Sequence, residues 1–77
     1  MFCQTICISS FEAAKRFINM TNRYMNLKIN LFSEDYIIDA HSVMGILSLD
    51  MNKPVELRAE GETLNDFIKD IAPFAAA

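Results

Sequence analysis

Asp39-Ala40-His41-Ser42-Val43-Met44-Gly45-Ile46-Leu47-Ser48-Leu49 reads as the end of a strand, a helix cap and one or two turns of helix. Ser42 stands where an N-cap belongs, directly before an apolar run. Its hydroxyl can accept a hydrogen bond from a free backbone N–H of the first turn. Val43, Met44 and Leu47 place three large apolar side chains on a helix too short to bury them all. A serine at a helix start suits a phosphate, which free N–H groups and the helix dipole both favour. The apolar surface beside it equally suits a docking partner.

Downstream, Asp50-Met51-Asn52-Lys53-Pro54 is a loop, with proline at the entry of the next strand. Val55, Leu57 and Ala59 then alternate with Glu56, Arg58 and Glu60, the cleanest strand pattern in the chain. Gly61 marks a turn. Thr63-x-x-Asp66 opens a helix as a capping box, and Leu64, Phe67, Ile68 and Ile71 form its apolar stripe. Pro73 ends or kinks that helix, and the Ala75-Ala76-Ala77 tail is expected to fray.

Upstream, Tyr36 to Asp39 is a short strand joined through the polar turn Ser33-Glu34-Asp35 to a strand over Leu27 to Phe32. In that strand Leu27, Ile29 and Leu31 share one face, and Lys28 and Asn30 the other. A helix from about Phe11 to Tyr24 precedes it, capped by Ser9-x-x-Glu12. Ala14, Ile18, Thr21 and Met25 fall at helical spacing and are expected to face the sheet. Phe11, Arg16, Phe17 and Met20 lie on other sides. Phe2 to Ile8, rich in apolar and β-branched residues, is the first strand. The order is β-α-β-β-α-β-α. Four antiparallel strands with helices over one face make an α+β, open-faced β-sandwich. Lys28, Asn30, Glu56 and Arg58 are expected on the wet face.

Seventy-seven residues suffice for a single domain, 1–77, with a thin core, and 52% hydrophobic residues argue for a packed globule. The net charge is -3 and the bases form no run, which speaks against nucleic-acid binding. No signal peptide and no membrane span are visible, so a cytoplasmic location is expected. Cys3 and Cys7 are four apart. Along a strand that is about 13 Å, beyond the ~7 Å a disulfide allows. One histidine offers too few ligands for a metal site, and no metal or cofactor is expected. Neither a Gly-rich phosphate loop nor a nucleophile–base pair is present, so an enzyme is not expected.

Ser42-Val43-Met44-Gly45-Ile46-Leu47-Ser48-Leu49 closely resembles the serine-helix segment of HPr, the phosphocarrier of the bacterial sugar phosphotransferase system. Val55-Glu56-Leu57-Arg58-Ala59-Glu60-Gly61 resembles HPr's last strand and the glycine after it. Element order and length fit an HPr-like fold along almost the whole chain. The resemblance implies two phosphorylation sites. One is a histidine at the start of the first helix, which takes phosphate from enzyme I. The other is the serine capping the short helix, the target of a dedicated kinase in carbon catabolite regulation.

Counting back from Ser42 without gaps puts the histidine position at Phe11, its supporting arginine position at Ala13 and the helix-start proline position at Ala14. A phenylalanine ring has no nucleophile, so no histidine phosphocarrier activity is expected. His41, beside Ser42, is a solvated histidine where the family usually has a basic residue, a second phospho-acceptor, or a pH-sensitive neighbour of a phosphoserine. By the resemblance, Phe11, Arg16, Phe17 and Met20 of the first helix lie beside Val43, Met44 and Leu47 of the second. In HPr relatives that face docks enzyme I, transporter domains, the serine kinase and a transcription regulator, so the resemblance implies protein partners of this kind. Phe11 either plugs the core or anchors this patch.

The chain therefore reads as a regulatory or adaptor module of the phosphotransferase system, a monomer or weak homodimer, with Ser42 as a phosphoserine site. The alternatives are phosphotransfer through a non-histidine acceptor and a scaffold subunit that uses the fold alone.

Overall fold

A computed structural model of the protein describes residues 1–34, 36–62 and 64–76. The elements are β1 (Phe2–Ile6), α1 (Phe11–Asn22), β2 (Lys28–Phe32), β3 (Ile37–Asp39), α2 (Val43–Leu47), β4 (Val55–Glu60) and α3 (Asn65–Ile71), and a 3-10 turn spans Ala72–Phe74. This is the expected order. The strands form one antiparallel sheet in the order β1-β4-β2-β3.

The registers explain why β4 is central. Its alternating Val55, Leu57 and Ala59 are buried and turn toward the helices. Leu31 stands opposite both Leu57 and Ile38, and Ile29 opposite Ala59. Ala14, Phe17, Ile46, Phe67 and Ile71 from the three helices close the same core. On the other face Lys28 is exposed, and Asn30, Glu56 and Arg58 are half-buried. That face is less wet than its polarity implies. The Arg58 guanidinium lies over the Phe32 ring at 4.0 Å, and its Nε donates to the Glu56 carboxylate.

Glycine is required at two points of close approach. A Cβ on Gly45 would lie 2.7 Å from the Ile38 Cγ2, and one on Gly61 would lie 2.2 Å from the Leu27 Cδ2. Both neighbours are buried. The first glycine lets α2 sit against β3; the second lets the chain leave β4 across the start of β2.

Several boundaries differ from the sequence reading. Ser10, not Ser9, caps α1: its hydroxyl accepts from the Ala13 N–H at 3.1 Å. Glu12 is therefore one position short of closing a capping box, which places its glutamate three residues after the cap. Helix α1 stops at Asn22, so Met25 lies beyond it, exposed. The buried stripe of α1 is Ala14, Phe17, Met20 and Thr21, with Ile18 only half-buried. Helix α2 ends at Leu47, where the Ser48 hydroxyl donates to the Gly45 carbonyl at 2.8 Å. Leu64 starts α3 without a side-chain cap. Thr63 of the expected capping box and Asp35 of the expected turn lie outside the described residues.

Strand β1 ends at Ile6 rather than Ile8, and Ala75 and Ala76 of the tail pair with the chain there, while Ala77 lies outside the described residues. Ile6 and Ala75 form an antiparallel bridge. The Cys7 N–H donates to the Phe74 carbonyl (2.9 Å) and the Ala76 N–H to the Thr5 carbonyl (3.0 Å). The Phe74 ring meets Phe17 edge to face, 5.5 Å between centroids. Pro73 thus ends α3 and opens a segment that closes the core. Cys3 and Cys7 are both free thiols.

Candidate functional site

The site is built on α1 and α2, which pack against each other over the sheet. Thr21 joins them. Its fully buried hydroxyl lies 3.0 Å from the Ile18 carbonyl and 3.2 Å from the Ala40 carbonyl, and it donates its single proton to one at a time. This fixes the residues leading into α2 against the back of α1.

Ser42 caps α2 as the sequence predicts. Its hydroxyl accepts from the Gly45 N–H at 3.2 Å, and the residue is exposed. Asp39 shapes the approach: its carboxylate accepts from the His41 N–H at 2.9 Å, and its carbonyl accepts from the Ser42 N–H at 2.9 Å.

His41 is not the solvated neighbour of Ser42 that the sequence allows. Its ring is half-buried and turned toward the start of β2, with Nε2 3.0 Å from the Leu27 carbonyl. A carbonyl only accepts, so Nε2 carries the proton and donates. Nδ1 is buried with no hydrogen-bond partner among the described residues. The side chain braces β2 against the turn before α2.

The apolar patch divides in two. Phe11 points outward and is 55% exposed; Val43 (48%), Met44 (78%) and Leu47 (37%) are exposed on α2. Phe17 (0%) and Met20 (4%) are core residues, which removes them from the expected partner-binding face. The reason is helical spacing: Phe17 and Met20 share the buried face of α1 with Ala14 and Thr21, and the Phe17 ring also packs on Phe74. Arg16 is exposed, as expected at a rim, and Ala13, at the expected arginine position, is half-buried. One member of the site was missed in the sequence. Lys15 extends its ammonium over the Phe11 ring at 4.9 Å. The i, i+4 spacing of a lysine after an aromatic on a helix was the signal for it.

The first turn of α1 holds Ser10, Phe11, Glu12 and Ala13, without an imidazole. The arrangement offers an exposed serine cap beside an exposed apolar surface with a cationic rim. Among the described residues no group of three or more His, Cys, Asp or Glu could hold a metal ion, and no helix is long and apolar enough to cross a membrane.

This geometry has a counterpart among solved structures. The crystal structure of HPr-C-His from Thermoanaerobacter tengcongensis matches with a TM-score of 0.77 at 25% identity, covering 95% of this chain and 89% of that chain. The fold is HPr-like. No family model and no curated protein matches the sequence.

Proposed function

We propose that this chain is a non-catalytic regulatory or adaptor module related to the sugar phosphotransferase system. It acts in the cytoplasm by binding a protein partner through Phe11, Val43, Met44 and Leu47, without histidine phosphocarrier activity. Ser42 is the phosphoserine site that switches this binding. The observation that carries the reading is the outward-facing Phe11 at the start of α1 on an HPr-like fold; by the resemblance, Phe11 stands at the carrier's histidine position. A large exposed aromatic on so small a domain is costly to solubility and is suited to a partner's pocket. Lys15 and Arg16 on this helix, against the single Glu12, favour an acidic surface on the partner. His41 supports the absence of carrier chemistry, since Nε2 is engaged by a carbonyl and Nδ1 is buried.

Two incubations followed by intact mass test the proposal. With an HPr serine kinase and ATP, the parent gains one phosphate and Ser42→Ala gains none. With phosphoenolpyruvate and enzyme I, neither gains any. A phosphate from the second incubation refutes the regulatory reading; none from the first removes Ser42 as a switch. Binding to enzyme I, measured by titration calorimetry, should weaken by roughly tenfold or more in Met44→Ala or Phe11→Ala if these are the anchors.

A further inference from the structure

The two edges of the sheet are guarded differently. At β3 the edge strand is only three residues long and carries Asp39, so shortness and a charge both discourage pairing. Strand β1 has neither device. Phe2-Cys3-Gln4-Thr5-Ile6-Cys7-Ile8 contains no charged residue, no proline and no glycine. That composition pairs readily with another extended chain.

Protection at this edge comes from residues 72–76. Two backbone hydrogen bonds, Cys7 N–H to the Phe74 carbonyl and Ala76 N–H to the Thr5 carbonyl, lay this segment antiparallel to β1. The Phe74 ring pins it to Phe17. Among the described residues the cover extends over Thr5 to Cys7, and it demonstrates which strand direction the edge accepts.

We infer that the outer edge of β1 is a strand-pairing site, that residues 72–76 are a releasable strap over it, and that a second copy of this chain is the strand it takes when the strap lifts. The pattern of β1 favours itself as partner. Antiparallel pairing about a two-fold axis at Gln4 sets Phe2 opposite Ile6 of the second copy and Cys3 opposite Thr5. Phe2 and Ile6 both belong to the helix-covered face, and Cys3 and Thr5 to the open face. The helical layers therefore stay on one side of a continuous eight-stranded sheet. No like charges meet. A two-fold pairing uses one edge from each copy and closes as a dimer.

The test uses the full-length chain. Ala76→Pro removes the N–H that holds the strap to Thr5, and Ala75, at φ -60° and ψ 133°, already has the backbone that precedes proline. Molar mass is measured by light scattering across a concentration series, with circular dichroism to establish folding. The parent is expected to be monomeric where Ala76→Pro is dimeric, the dimer forming at a concentration lower by about tenfold or more. Thr5→Lys added to Ala76→Pro puts a cation on each paired strand and should return the monomer. A folded, monomeric Ala76→Pro overturns the inference, as does a dimer that persists with Thr5→Lys. Open-ended aggregation overturns the two-fold pairing. If Ala76→Pro unfolds the whole chain, the segment is an integral part of the core rather than a strap. In the parent, hydrogen exchange at the Cys7 and Ala76 amides should be faster than at the β1–β4 ladder; equal rates also refute release.

Discussion

At the scale of single residues, two phenylalanines six positions apart on α1 have opposite roles. Phe17 is fully buried between the sheet and Phe74, whereas Phe11 projects into solvent beneath the Lys15 ammonium. Truncating Phe17 to alanine removes a core ring and leaves a cavity, a loss of about 3–5 kcal/mol. Truncating Phe11 should change stability by no more than about 0.5 kcal/mol, since an exposed ring has little burial to lose. Urea unfolding of the two variants measures both. An equal, large loss would place Phe11 in the core and remove the anchor from the proposed docking face. The stripe drawn through Ala14, Ile18 and Thr21 left both outside it, although Phe17, three residues after Ala14 and four before Thr21, has the same helical spacing. Phe17 lies on the buried face of α1 with Ala14, Met20 and Thr21, and its ring also meets Phe74. Ser42, by contrast, was legible: a cap is a local device, and its partner, the Gly45 N–H, is three residues away.

At the scale of elements, caps decide where helices begin. The Ser9-Ser10 pair offers two registers for α1, and the one realised places Ser10 at the cap. Ser10→Ala should lower stability by about 1 kcal/mol, while Ser9→Ala, exposed and outside the helix, should leave it nearly unchanged. Thermal or urea midpoints compare them; the reverse order would restore the Ser9 capping box with Glu12. The strands β2 and β4 were legible almost to the residue because their alternation is strict and their inner faces are wholly buried. The ends of β1 and α1 were not. At β1 the bridge from Ile6 to Ala75 is distant in sequence, whereas α1 ends in a local turn, Arg23 to Leu27, that leaves Met25 in solvent.

At the scale of the molecule, the turn that follows α1 is tied to α3 by one phenol. Tyr24 Oη donates to the Asp70 carboxylate at 2.5 Å, and the Tyr24 ring meets Phe67 edge to face. The hydrogen bond to Asp70, then burial, then the negative charge of Asp70 raise the Tyr24 pKa above its ordinary 10.0, against a lowering by Arg23. The Arg23–Asp70 ion pair at 3.3 Å is solvent-exposed and adds little. A raised folded-state pKa means that ionisation is harder in the folded chain than in the unfolded one. The stabilisation is complete below pH 10 and is lost as pH rises through the folded value. Unfolding midpoints of the parent should therefore fall on going from pH 9 to above pH 10, and Tyr24→Phe should lack this component of the fall. An identical alkaline profile in both would mean that the phenol does not couple that turn to α3. What the sequence determined by itself is what short-range chemistry determines: the order of elements, the alternation that builds the sheet, the Ser42 cap and the apolar face of α2. What only the tertiary structure decided is which side of α1 faces inward, where the His41 ring turns, and that Ala75 and Ala76 bind rather than fray. Each involves a partner far along the chain: Phe74 for Phe17, the Leu27 carbonyl for His41, and the unguarded edge of β1 for Ala75 and Ala76. A hydrophobic period fixes how side chains repeat along an element, but the surface that each one meets exists only once the whole chain has closed around it.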